Sequence, residues 1–280
     1  MATAPSKPTT TPVKESSGNS AFASFVIPIC FIVALCIFIF VLGHPSHYKG
    51  GDVEHGAPTD YFGTVHKGGP IVPVLMTLFL MVIIFSIERF VVIGKAAGTG
   101  NVDAFVRKIN AFLNAGSIDA ATAECDKQKG SVANVVKSGL KKYREMENEP
   151  NLDVDQKTLA IQKDIEEATA LEMPMLEQNL TIIATLVSIG TLFGLLGTVT
   201  GMIRAFQSLA TSGAASSSEL ANGISEALIN TAIGIFTSAL SIIMYNIFTS
   251  KIDKLTYAID ETGFSIVQTF AASHKNRERY

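Results

Sequence analysis

The sequence predicts an all-α integral membrane protein: three core transmembrane helices plus one extra N-terminal span, with two core helices extended into a cytoplasmic helical domain. Three observations predict it. Hydrophobic residues make up 48% of the 280 and charged residues only 17%. Four runs, at 22–42, 71–93, 180–202 and 224–248, each approach the roughly 20 apolar residues needed to cross a hydrocarbon core of about 30 Å. Between the second and third runs lie amphipathic stretches bounded by helix start and stop signals.

Residues 1–20 are rich in Pro, Ser and Thr and read as a disordered tail. The first span, 21–43, is longer than the apolar region of a secretion signal, and no small-x-small cleavage site follows it before His44, so it reads as an uncleaved anchor. Residues 44–69 form an extracytoplasmic loop holding four of the five histidines. The second span occupies 70–94. In the cytoplasmic domain, 95–178, Asn101, Ser117 and Ser131 precede amphipathic stretches as N-caps, while Gly116 and Gly130 act as stops. From about Asp155 one helix of roughly 50 residues runs into the third span, 179–206, with Pro174 as its expected kink. An extracytoplasmic loop, 207–222, the fourth span, 223–249, and a cytoplasmic tail, 250–280, complete the chain.

Orientation follows from the basic residues. Lysine and arginine crowd the segment between spans two and three and the tail, whereas 207–222 has none, which places both termini in the cytoplasm. A net charge of -3 gives no reason to expect nucleic acid. The three cysteines, Cys30, Cys36 and Cys125, imply no disulfide framework. His44 and His47, with His55 or His66, have a spacing compatible with metal, but without Cys, HExxH or a helical pattern they read as a polar loop and no metal is expected. GLLGTVTG lacks the lysine of a phosphate loop and lies in a membrane run, so ATP hydrolysis is not expected and nothing suggests an enzyme.

The third span carries Gly190, Gly194, Gly197 and Gly201 on one narrow ridge, a seam for close helix packing, with Thr191 and Thr198 beside it. In the fourth span Glu226, Asn230, Thr231, Gly234, Thr237, Ser238, Ser241 and Tyr245 fall within an arc of about 140° when placed on an α-helix. An intramembrane carboxylate is costly, so such a stripe points at a protein partner or a water-filled path; a position for Glu226 at the outer interface is the alternative. Thr198, Thr231 and Glu226 are the candidates for an ion pathway, with Asn230 and Ser238 as lesser wall residues. Glu88 and Arg89 end the second span and read as an interfacial anchor pair.

LFGLLGTVTGMIRAF (192–206) and GISEALINTAIGIFTSALSIIMYNIF (223–248), together with SIERF (86–90), resemble the paired signature of the MotA/TolQ/ExbB proton-channel family, closest to its ExbB branch. The resemblance implies a homopentamer in which the third and fourth spans surround a central lumen lined by Thr198 and Thr231, with Glu226 nearby. It further implies a single-span ExbD-like partner dimer in that lumen, protons as the coupling ion with no other cofactor, and work on a TonB-like protein from the bacterial inner membrane for outer-membrane transport. A TolQ-like or a gliding or flagellar stator subunit is the related alternative, and a non-conducting scaffold the unrelated one. The extra first span and the long loop after it depart from the ExbB pattern.

Overall fold

The computed structural model describes residues 18–53, 56–212 and 217–275; most of the N-terminal tail lies outside them. Every regular element among the described residues is helical, apart from an isolated bridge between Tyr48 and Pro58. Among the described residues, four helical segments are long and apolar enough to cross a membrane.

The first, α1 (Gly18–Cys36), continues as a π-helical turn, 37–42, closed by Gly43 N donating to Phe38 O at 2.9 Å. Among its described side chains only Val26, Cys30 and Ala34 are buried, while Phe25, Ile29, Ile32 and Phe40 are exposed. It packs on the next span, with Phe22 edge-on to Phe85 at 6.2 Å. The extra span thus sits at the periphery, one stripe against protein and the rest suited to lipid. A short helix, α2 (Tyr61–His66), leads into α3 (Val72–Ala96).

Helices α4 (Val102–Asn114), α5 (Ile118–Gln128), α6 (Gly130–Glu147) and α7 (Val154–Glu177) form the intervening domain. The Asn101 side chain accepts from the amides of Asp103 and Ala104 at 2.8 and 3.3 Å and caps α4; Gly116, at φ 68°, ends it. Ser117 stands at the N-cap of α5 without a side-chain cap bond. Ser131 is not a cap: α6 opens at Gly130 behind Lys129, and Ser131 is buried inside its first turn. Gly130, at φ 81° two residues past the end of α5 at Gln128, stands to that helix as Gly116 does to α4. The start of α7 carries a reciprocal capping box between Asp153 and Gln156.

The last two helices are α8 (Leu180–Ser212) and α9 (Ser217–Lys275). No glycine or proline interrupts 202–212, so α8 runs on into the expected 207–222 loop as far as Ser212, and α9 takes up its last six residues from Ser217. At 59 residues and 1.5 Å each, α9 is about 90 Å long: it continues from the fourth span as the pillar of the helical domain. Ile109, Leu140, Ile161, Ile259, Ile266 and Phe270 are fully enclosed around it. Ile165 of α7 fills the space left by the missing side chains of Gly139 and Gly263.

The expected unbroken helix through Pro174 is corrected. Pro174 lies inside α7, and the chain breaks four to five residues later, at Gln178 and Asn179, the latter at φ 59°. Asparagine tolerates this left-handed conformation better than most residues. The break removes the donors that Met175 O and Leu176 O would have met one turn on. Arg89 supplies them: its Nη1 donates to both carbonyls at 3.1 Å. Its Nε and Nη2 donate to the Glu88 carboxylate at 2.6 and 2.5 Å. Arg89 is 1% exposed, and within the chain the pair acts as the cap of a helix break.

Replacing Arg89 with Met leaves two carbonyls and one carboxylate without their donor. A loss of about 3–5 kcal/mol is expected, read as a lower unfolding temperature in detergent; an Arg89→Met protein as stable as the parent would contradict this.

Candidate functional site

The glycine ridge of α8 meets a matching row of small residues on α9. A Cβ built on Gly194 would lie 3.2 Å from Asn230 O and from Gly234 Cα; one on Gly201 would lie 2.9 Å from Ala227 N; and one on Gly190 would lie 2.7 Å from Ser238 Oγ. On Gly197 it would fall on the Asn230 side chain. The two backbones approach this closely because none of these four positions carries a side chain.

Much of the polar stripe of α9 is consumed by this contact. Ser241 donates to Ile183 O at 2.6 Å, Thr231 to Gly194 O at 3.3 Å, and Thr191 to Ser238 Oγ at 2.9 Å. Asn230, fully enclosed, donates to Gly68 O at 2.8 Å, which ties the entry of α3 to the pair, while its Oδ1 has no partner. Asn230 and Ser238 thus face into the chain itself.

At the α8–α9 loop end of the seam, Glu226 is 8% exposed and forms an ion pair with Arg204 at 2.6 Å. A Cβ on Gly69 would fall on that carboxylate, so the turn entering α3 roofs the pair closely. Arg204 and the Gly68–Gly69 turn escaped the sequence reading. The signal present was a lone arginine near the end of an apolar helix, of opposite charge to Glu226. Thr198 stands beside the seam with its hydroxyl donating to Leu195 O at 2.6 Å, and lines an open groove of about 600 Å³ on α8 with Val199, Ile203 and Phe206. The structure therefore brings Glu226, Asn230, Thr231 and Ser238 together along one contact and leaves Thr198 on an outward face.

Residues 44–53 and 56–69 fold over one end of these helices. His47 Nδ1 lies 2.5 Å from Asp60 Oδ2, the Tyr48 hydroxyl 2.7 Å from His66 Nδ1, and His66 stacks on Phe38 with centroids 4.5 Å apart. His55 lies outside the described residues, and no group of three metal-capable side chains occurs among them. The Gly63 amide, donating at 2.9 Å, and His47 hold Asp60 below the usual carboxylate range. Burial, with the charge of Lys67 adding to it, lowers the pKa of His66. Burial also pushes the Cys125 thiol in the helical domain up to about 12, which keeps it protonated.

The fold and this contact define a multi-pass membrane protein built on two helices joined through a small-residue seam. Residues 127–261 match the sequence profile of the MotA/TolQ/ExbB proton channel family. TolQ of the Tol-Pal system of Pseudomonas aeruginosa is 28% identical over 187 residues, covering 65% of this chain and 81% of that protein. An ExbB-like biopolymer transport protein of Synechocystis is 38% identical over 116 residues, 41% of this chain and 55% of that protein. The biopolymer transport protein ExbB of Xanthomonas campestris is 28% identical over 117 residues, 42% of this chain and 46% of that protein. Over residues 127–261 the chain is thus similar to the MotA/TolQ/ExbB family, which is a family of proton channels.

A lowered histidine pKa means that the unfolded segment takes up the proton more readily than the folded one. The stabilisation by neutral His66 is complete above the ordinary value of 6.5 and is lost as pH falls through the folded value. Amide-exchange protection factors across 44–66 are expected to fall between pH 7.5 and pH 5, and to fall less in His66→Gln. Equal acid sensitivity in both would contradict the assignment.

Proposed function

We propose that the chain is an ExbB-type subunit of a proton-motive-force-driven motor in the bacterial inner membrane, with both termini cytoplasmic. Five copies surround a lumen holding the single-span dimer of an ExbD-like partner, and proton flow is coupled to work on a TonB-like protein for outer-membrane transport. The observation that carries this reading is the paired arrangement on α8 and α9. One face of each helix is locked in the seam, while the outward face of α8 presents the Thr198 groove and a row of exposed apolar side chains, Leu192, Leu195, Val199 and Ile203, to other chains.

Within one chain the seam carboxylate Glu226 is held by Arg204, and the hydroxyls of Thr198 and Thr231 satisfy backbone carbonyls. Such walls guide protons but hold no titrating relay, which supports a protonatable group supplied by the partner helix. Each charge crossing the membrane contributes about 2.3 kcal/mol per 100 mV, available to the step it is coupled to. A TolQ-type role is the second reading, favoured by the match to TolQ over 81% of that protein; the identity of the partner protein separates the two.

The test is proton flux into vesicles containing the chain co-purified with its single-span partner, alongside native mass measurement of the complex. Thr198→Ala, Thr231→Ala and Glu226→Gln are expected to lower flux about tenfold or more, equivalent to at least about 1.4 kcal/mol, while the five-to-two complex persists. Undiminished flux in all three, with the complex intact, would leave a scaffold as the function.

A further inference from the structure

Where the apolar segment that α3 carries ends, at Ala96, it forms a groove of about 490 Å³ with α6 and α7. Three features mark its floor. The first turn of α6 has no side-chain cap: Lys129 stands at the N-cap with no side-chain bond to the helix, and the first amides of a helix have no partner within it. Ser131, 1% exposed, lines the groove with a hydroxyl that has no hydrogen-bond partner. A buried hydroxyl without a partner is rare in folded proteins and calls for an unseen one. Lys95, also on the groove, has no ion-pair partner among the described residues.

The opposite wall has the opposite charge. Glu172 accepts from Asn134 Nδ2 at 3.0 Å through Oε1, and its other oxygen has no partner among the described residues. Toward the spans the walls turn apolar, with Met175 exposed one turn beyond Glu172 on α7 and Val92 one turn before Lys95 on α3. One cation, one carboxylate, a helix start without a side-chain cap and an apolar wall on the membrane side together select a ligand that is zwitterionic at one end and aliphatic at the other. A free phosphate has no use for the apolar wall. An anionic lipid leaves Glu172 facing negative charge.

We propose that this groove seats a zwitterionic phospholipid carrying a primary amine: the phosphate on Lys95, the Ser131 hydroxyl and the first amides of α6, the ammonium against Glu172, and the acyl chains along Val92 and Met175. The site clamps the end of α3 to α6 and α7, close to the helix break that Arg89 caps.

The test is native mass spectrometry of delipidated protein titrated with phosphatidylethanolamine or phosphatidylglycerol, repeated for Ser131→Ala, Lys95→Gln and Glu172→Gln, with the exposed Lys163→Gln as control. The parent is expected to prefer phosphatidylethanolamine, and Ser131→Ala and Lys95→Gln to weaken its binding about fivefold or more, in line with a lost charge-assisted or buried hydrogen bond. Glu172→Gln is expected to shift preference toward phosphatidylglycerol. Ser131→Ala removes one atom from a buried position, so its folding is not in question. Equal binding of both lipids by the parent, binding unchanged in all three variants, or displacement of the lipid by soluble phosphoethanolamine at equal concentration would overturn the proposal.

Discussion

The contact between the backbones of α8 and α9 is the constraint on which the rest of this protein depends. In a bilayer no hydrophobic drive favours helix over lipid, so association rests on close van der Waals packing and on hydrogen bonds between helices. Gly190, Gly194, Gly197 and Gly201 supply the first, and Thr191, Thr231, Ser238 and Ser241 the second. Because α9 continues without interruption to Lys275, the same contact fixes the membrane part relative to the helical domain wrapped on the lower half of that helix.

Two further ties hold the remaining spans to this pair. At one end Asn230 bonds Gly68 O and the Gly69 turn covers the Glu226–Arg204 ion pair. At the other, Arg89 of α3 donates to the carbonyls exposed by the break before α8. The second span is thus pinned to its neighbours at both ends by polar contacts and along its length by apolar ones. Deep polar groups that looked like a pathway in isolation are in part the fasteners of this framework. That leaves the outward face of α8, with Thr198, to meet other chains.

The spans and the glycine ridge were legible in the sequence because both are periodic: apolar runs reveal their length, and small residues at spacings of four, three and four share one helix face. Asn101 was legible as a cap for the same local reason. What escaped was set by contacts distant in the chain. Arg89 reads as an interfacial cation, and its capping of the break shows only where α7 ends against it, 86 and 87 residues further on. Arg204 gains meaning only beside Glu226. Asn179 carried a weak signal, tolerance of a left-handed backbone, that Pro174 overshadowed. Asn230 and Ser238 read as wall residues because a polar stripe does not reveal whether a partner helix of the same chain already covers it.

The account is tested most directly by one substitution made at two glycines, Gly197→Ala and Gly94→Ala, comparing unfolding temperatures in detergent. A Cβ on Gly94 meets nothing within 4 Å, so alanine there gains helix propensity and is expected to stabilise by up to about 1 kcal/mol. On Gly197 the same methyl overlaps Asn230, forcing the helices apart, with an expected loss of about 1–3 kcal/mol. Shifts of opposite sign support the seam as the governing contact; equal shifts in the two variants would contradict it.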